Sequence, residues 1–191
     1  STRDGWGLLP RALHWSIALL VALQIVIGVR IGLLDMYDPI DVEWYKRVIP
    51  LHKSIGLTIL VLMLARVAVR RLGVTPTLPA STPRWQASAA RVTHVALYAL
   101  LILQPVLGYL QSAAYGATTR YFGLFVVPNV LPDAWQRPQS DALRLAAQNG
   151  HRIVAWLIAG LLIVHVLAAL KHHFVDRDRV LVRMITGTAR D

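Results

Sequence analysis

Seven histidines, His14, His52, His94, His151, His165, His172 and His173, are the residues here whose type and placement allow chemistry. Five of them lie within or at the edge of long apolar runs. A polar ring at membrane depth needs a partner, because hydrocarbon offers no hydrogen bonds. Iron in a porphyrin is such a partner: two neutral imidazoles from facing helices can take both axial positions while the macrocycle fills the bundle core. His151 and His165 are fourteen residues apart, close to four helical turns, so they share a face and stand about 21 Å apart along the axis. That spacing suits two haems stacked along one helix. His52 opens the second apolar run at the depth of His151, and His14 opens the first at the depth of His165. The expected axial pairs are therefore His52 with His151 and His14 with His165.

His94 begins its run at the same depth as His14 and competes with it for His165; a propionate hydrogen bond or an interhelical contact is its other role. His172 lies seven residues beyond His165 on the same face, where it could donate to a quinone carbonyl beside the inner haem or serve as an interfacial cation. His173 is expected to face headgroups and water. Histidines in membrane bundles also cap helix ends or bond across helices, but four rings matched in depth, two on one face, argue against that reading. Tetrahedral zinc is excluded in the same way, since the spans supply no Asp, Glu or Cys to complete it.

The elements that must position these rings are four membrane helices, because a span needs about 20 largely apolar residues. Windows of that kind run over about 12–34, 51–70, 90–113 and 148–173. The expected fold is an all-α, integral membrane four-helix bundle, with residues 1–191 as one domain. With 55% hydrophobic and 16% charged residues and a mean hydropathy of +0.50, the chain is too apolar for an ordinary soluble domain. Its net charge of +10 is explained by topology and anionic lipid, not by nucleic acid. The absence of cysteine excludes disulfides, thiolate-bound iron–sulfur clusters and covalently attached haem. The first apolar run is too long for a signal-peptide core and is read as a span.

Basic residues concentrate on the cytoplasmic side of membrane proteins. The second connection carries Arg66, Arg70, Arg71, Arg84 and Arg91 without an acid, and the tail adds Lys171, Arg177, Arg179, Arg183 and Arg190. The first connection holds Asp35, Asp38, Asp41 and Glu43, and the long third one is mixed. Both termini are therefore expected in the cytoplasm of a bacterial inner membrane. The third connection, with Tyr121, Phe122, Phe125, Trp135 and several prolines, reads as a surface-lying loop, a lid or docking surface, and Pro76–Pro83 as a break between helices. Gly28, Gly56, Gly108 and Gly160 would let a porphyrin or another helix approach. Arg11, Lys53, Arg91, Arg152 and Lys171 sit where propionates would emerge or where cations snorkel. Pro105 is expected to kink the third span, with Gln104 bonding a freed carbonyl.

The segments RALHWSIALLVALQIVIG, LHKSIGLTILVLMLARVAVR, THVALYALLILQPVLGYL and HRIVAWLIAGLLIVHVLAALKHHF resemble the bacterial cytochrome b561 family over nearly the whole chain. They are similar, more distantly, to the cytochrome b subunits of formate dehydrogenase and nickel–iron hydrogenase. The resemblance implies two haem b groups bound by one His of the first helix, one of the second and two of the fourth, which fall on His14, His52, His151 and His165. It also implies electron transfer with membrane ubiquinone, in some members from superoxide, with His172 as the quinone residue by position. A periplasmic-side donor, superoxide or a redox protein, would then feed ubiquinone through the chain. The alternative is a haem-bearing membrane anchor that relays electrons for a partner dehydrogenase. A long third connection sets this chain apart from the shorter superoxide-oxidising members.

Overall fold

The computed structural model describes residues 1–2, 5–77, 82–137 and 141–187. Arg190 and the middle of the Pro76–Pro83 break lie outside them. Four long helices run through the chain: α1 (Leu8–Gly32), α2 (Pro39–Leu72), α3 (Arg84–Ala114) and α4 (Ala142–Phe174). Each contains a window long and apolar enough to cross a membrane. Their outward faces carry Leu19, Val26, Val61, Val92, Ile153, Trp156 and Ile163, all exposed. Water would penalise that surface, whereas hydrocarbon accepts it. The core between the helices is narrow: Ile17, Val21 and Ile27 of α1 meet Ile55, Ile59 and Met63 of α2 and Val154 and Ile158 of α4.

Local chemistry sets the ends. Asp38 caps α2 by accepting from the Ile40 N–H at 2.8 Å, and Pro39 occupies the first turn, where its missing N–H costs nothing. The helix thus begins twelve residues before the apolar window that starts near residue 51. Its 34 residues span about 51 Å, well beyond a hydrocarbon core of about 30 Å. Arg30 pairs with Asp41 at 2.6 Å and ties this extension to the end of α1. Asp141 precedes α4, and its hydrogen bond from Arg144 at 2.8 Å holds the carboxyl below the usual carboxylate range. The acid therefore stays charged at the positive end of the helix dipole.

α1 packs on α2, α2 on α3, and α3 along α4. Among the described residues α4 makes no comparable backbone approach to α1 or α2; it meets them through side chains, with Val154 and Ile158 in the core and the histidines lining the seam. Two elements lie outside the expected plan. The third connection folds as an antiparallel hairpin of β1 (Thr119–Tyr121) and β2 (Phe125–Val127), with Thr119 opposite Val127 and Tyr121 opposite Phe125. After α4 a short helix, α5 (Val180–Thr186), turns back under the bundle. Arg11 donates to the Ile185 carbonyl at 2.7 Å and Trp15 to that of Met184 at 3.0 Å. Both ends of the chain thus meet at one end of the bundle, the terminal end; the hairpin marks the other, the loop end.

Ser54 fastens the hairpin to α2. It is fully buried, donates to the Pro50 carbonyl at 2.8 Å and accepts from the Phe122 N–H at 2.9 Å. Phe122 has φ of 46°, a conformation that a non-glycine residue keeps only when its surroundings hold it. Ser54→Ala leaves that N–H without its partner and is expected to cost about 1–3 kcal/mol. Circular dichroism melting in detergent checks this; an unchanged Tm would show that the hairpin is held otherwise.

Candidate cofactor site

The histidines come together at two levels. Near the loop end the rings of His52 (α2) and His151 (α4) stand with centroids 6.2 Å apart and planes crossed at 73°. Near the terminal end His14 (α1) and His165 (α4) stand 6.3 Å apart at 69°. His94 (α3) also lies beside His165, with centroids 5.4 Å apart. The four rings of the expected pairs are thus brought together edge-on between the helices, and His94 shares the level of the second pair. His172 lies apart, at the end of α4, hydrogen-bonded through Nδ1 to Asp178. His173 packs edge-on against Phe174.

These dimensions suit a porphyrin iron. Two imidazoles bound through a ring nitrogen at about 2.0 Å to opposite sides of one metal ion place their centroids about 6.2 Å apart. Both expected pairs meet that spacing, and 5.4 Å between His94 and His165 is too short for it. Among the described residues five buried side-chain atoms lack a hydrogen-bond partner; Arg11 Nε and Arg183 Nε are two of them, and the other three gather at one level. Gln24 Oε1, His52 Nδ1 and Gln104 Oε1 are buried without a hydrogen-bond partner, and all three belong to the His52–His151 level. Gln24 itself donates to the His52 carbonyl at 2.7 Å. Buried polar atoms left so are costly.

The setting of His151 is more specific than its sequence suggests. Its Nδ1 lies 3.0 Å from the Gln104 carbonyl, which only accepts, so Nδ1 carries the proton and Nε2 keeps its lone pair. A metal-binding imidazole needs that tautomer. The Gln104 side chain turns to the same ring, its Nε2 3.2 Å from His151 Nε2, instead of bonding a carbonyl freed by Pro105. Gly108, one turn on, provides the room: a Cβ there would meet His151 Cε1 at 3.1 Å and Nδ1 at 3.2 Å. The other glycines differ. A Cβ at Gly56 would reach Gln24 at 3.5 Å, and at Gly28 or Gly160 it would meet nothing within 4 Å. Helix packing therefore does not account for Gly28 and Gly160.

Several cations are committed elsewhere. Lys53 does not snorkel outward; its ammonium is half-buried and donates to Ser112 Oγ at 2.7 Å. Arg66 is drawn inward too, donating to Tyr98 at 2.9 Å and to the Pro10 carbonyl at 3.2 Å. Arg11 is taken by α5 and Lys171 by Asp176. Sequence reasoning missed Gln24 as a partner at the first level and Asp178 as the partner of His172. A glutamine inside a charge-free span was the available signal for the first; nothing in spacing alone marked the second.

A family model for prokaryotic cytochrome b561 matches residues 5–187. "Cytochrome b561 homolog 2" of Escherichia coli (strain K12) is 36% identical, over all of this chain and 96% of its own length. "Probable superoxide oxidase CybB" of Yersinia pestis is 31% identical, over 94% of this chain and 95% of its own. "Cytochrome b562" of Cereibacter sphaeroides is 29% identical, over 95% of each. With crossed imidazoles lining a charge-poor bundle and a family match over nearly its whole length, the chain belongs to the prokaryotic cytochrome b561 family and is a multi-pass bacterial membrane carrier of electrons on haem b.

Proposed function

We propose that the chain binds two haem b groups, one between His52 and His151 and one between His14 and His165, and passes electrons from a donor at the loop end to ubiquinone at the terminal end. The observation that carries this reading is the ring spacing of 6.2 and 6.3 Å at two levels of one helix. When bound, the haems supply one-electron carriage; the protein's own work is to hold, orient and shield. The Gln104 carbonyl fixes the His151 tautomer, and apolar spans keep water from the seam. His94, too close to His165 for an axial pair, serves as its packing neighbour. Lys and Arg in the second connection and the tail put the terminal end in the cytoplasm and the loop end in the periplasm of an inner membrane. His172 then stands at the cytoplasmic surface as the quinone residue.

Superoxide is the donor favoured by the name of the Yersinia relative. Lys46, Arg120 and Arg152 at the loop end would draw a small anion inward, whereas Arg47 is spent on Glu43 at 3.1 Å. Superoxide-driven ubiquinone reduction by the haem-loaded protein is expected to fall as salt rises, because screening shortens the reach of these charges. No activity at low or high salt removes superoxide as donor. A specific observation supports a second reading, the membrane anchor: Leu124, Phe125 and Val130 around the hairpin are exposed at 77%, 55% and 71%, an apolar face fit for a redox partner. Purification with a stoichiometric dehydrogenase would establish that reading.

A further inference from the structure

The tail beyond α4 does more than close the bundle. His172 and Asp178 are both largely buried, with side chains 16% and 15% exposed, and His172 Nδ1 donates to Asp178 Oδ2 at 2.5 Å. The carboxylate is held from several sides. Its Oδ1 accepts from the Val180 N–H at 2.9 Å, and its own N–H donates to the His172 carbonyl at 3.0 Å. α5, whose first N–H is the one that Asp178 accepts, is pinned in turn to α1 by Arg11 and Trp15, and Arg183 donates to the Thr77 carbonyl at 2.9 Å. Asp176 also approaches His172 Nδ1, at 3.5 Å, but Lys171 holds both its oxygens at 2.6 and 2.7 Å. That ammonium leaves Asp178 as the carboxylate committed to His172, and makes a divalent cation a poor occupant of the cluster.

We infer that Asp178 is the positioning residue that makes His172 a proton donor to ubiquinone; this rests on the quinone reading above. A neutral imidazole that gives its Nδ1 proton to Asp178 has only a lone pair at Nε2 and cannot donate to a carbonyl. An imidazolium can, and a carboxylate at hydrogen-bond distance is the group that stabilises one. Ubiquinone becomes ubiquinol by taking two electrons, supplied by the loop-end donor, and two protons, one on each carbonyl oxygen. The Nε2 proton of His172 goes to one oxygen and is replaced from cytoplasmic water; the other oxygen takes its proton from water.

Asp178→Asn is the decisive variant, since an amide oxygen can still accept from Nδ1 and from the Val180 N–H but carries no charge. The haem-loaded protein in nanodiscs, with ubiquinone-1 as acceptor, gives haem content, equilibrium ubiquinone-1 binding, kcat, KM and the solvent deuterium effect on kcat. The expected result is full haem content and retained binding, a kcat lower by at least about tenfold, KM changed less than about threefold, and a larger solvent isotope effect. Wild-type kcat in Asp178→Asn overturns the inference, as does a lower kcat with an unchanged isotope effect, which a merely structural role would give. Should that variant lose its haems, His172→Gln decides: undiminished turnover there overturns the inference. A wild-type protein that carries haem yet never reduces ubiquinone overturns the quinone reading itself, and this inference with it.

Discussion

Alanine at His151 or at His52 is expected to lower the haem content from two per chain to one, and alanine at His14 or at His165 to remove the other. His94→Ala is expected to keep both. The basis is lateral distance at equal depth: His14 and His165, 6.3 Å apart, stand at the separation two imidazoles adopt across one iron, whereas His94 and His165 are only 5.4 Å apart. Pyridine haemochrome counting gives the stoichiometry, and double variants identify the pairs. His52→Ala with His151→Ala should lose no more than either alone, while His52→Ala with His165→Ala should lose both haems. Each single variant keeps one haem as its own control for folding. Loss of haem in His94→Ala with retention in His14→Ala would reassign the terminal-end pair.

Gly108→Val is expected to remove the haem of the His52–His151 level and spare the other. A Cβ at this position already meets the His151 ring at 3.1 and 3.2 Å, and valine adds two methyl groups to that contact. The ring cannot simply withdraw, because its Nδ1 is held by the Gln104 carbonyl on the turn of α3 just before Gly108. It must break that bond or swing about its axis, and either movement carries Nε2 away from the position the present ring gives it. Gly108→Ala, which needs a shift of only a few tenths of an ångström, should weaken haem retention without abolishing it. The readout is haem content after washing in detergent, with the surviving haem reporting an intact bundle. Two retained haems in Gly108→Val would mean that the His151 ring is not fixed as described. At Gly28 and Gly160 no protein atom lies within 4 Å of an added Cβ, so loss of haem there on alanine substitution would report contact with the porphyrin itself.

Much of the site could be read from the chain because it depends on one coordinate, depth. Four long apolar windows fix the spans, and position along each helix fixes the level of each ring, since rise per residue is constant. That logic selected His14, His52, His151 and His165 as rings matched in depth. The same logic could not separate His14 from His94, which share a level and differ only in sideways distance to α4. It also misjudged Lys53, read as a propionate partner or a snorkelling cation, because the Ser112 hydroxyl of the neighbouring α3 takes its ammonium.

The sequence by itself determined that this chain crosses a membrane on four helices and carries paired imidazoles at two depths, because hydrophobic length and helical period are local properties. Tertiary structure alone decided which rings face one another, which glycine yields to His151, that the third connection folds as a hairpin fastened by Ser54, and that Asp178 returns to His172. These are contacts between segments far apart along the chain, chosen by the packing of whole helices, and no local pattern of residue types encodes such sideways distances.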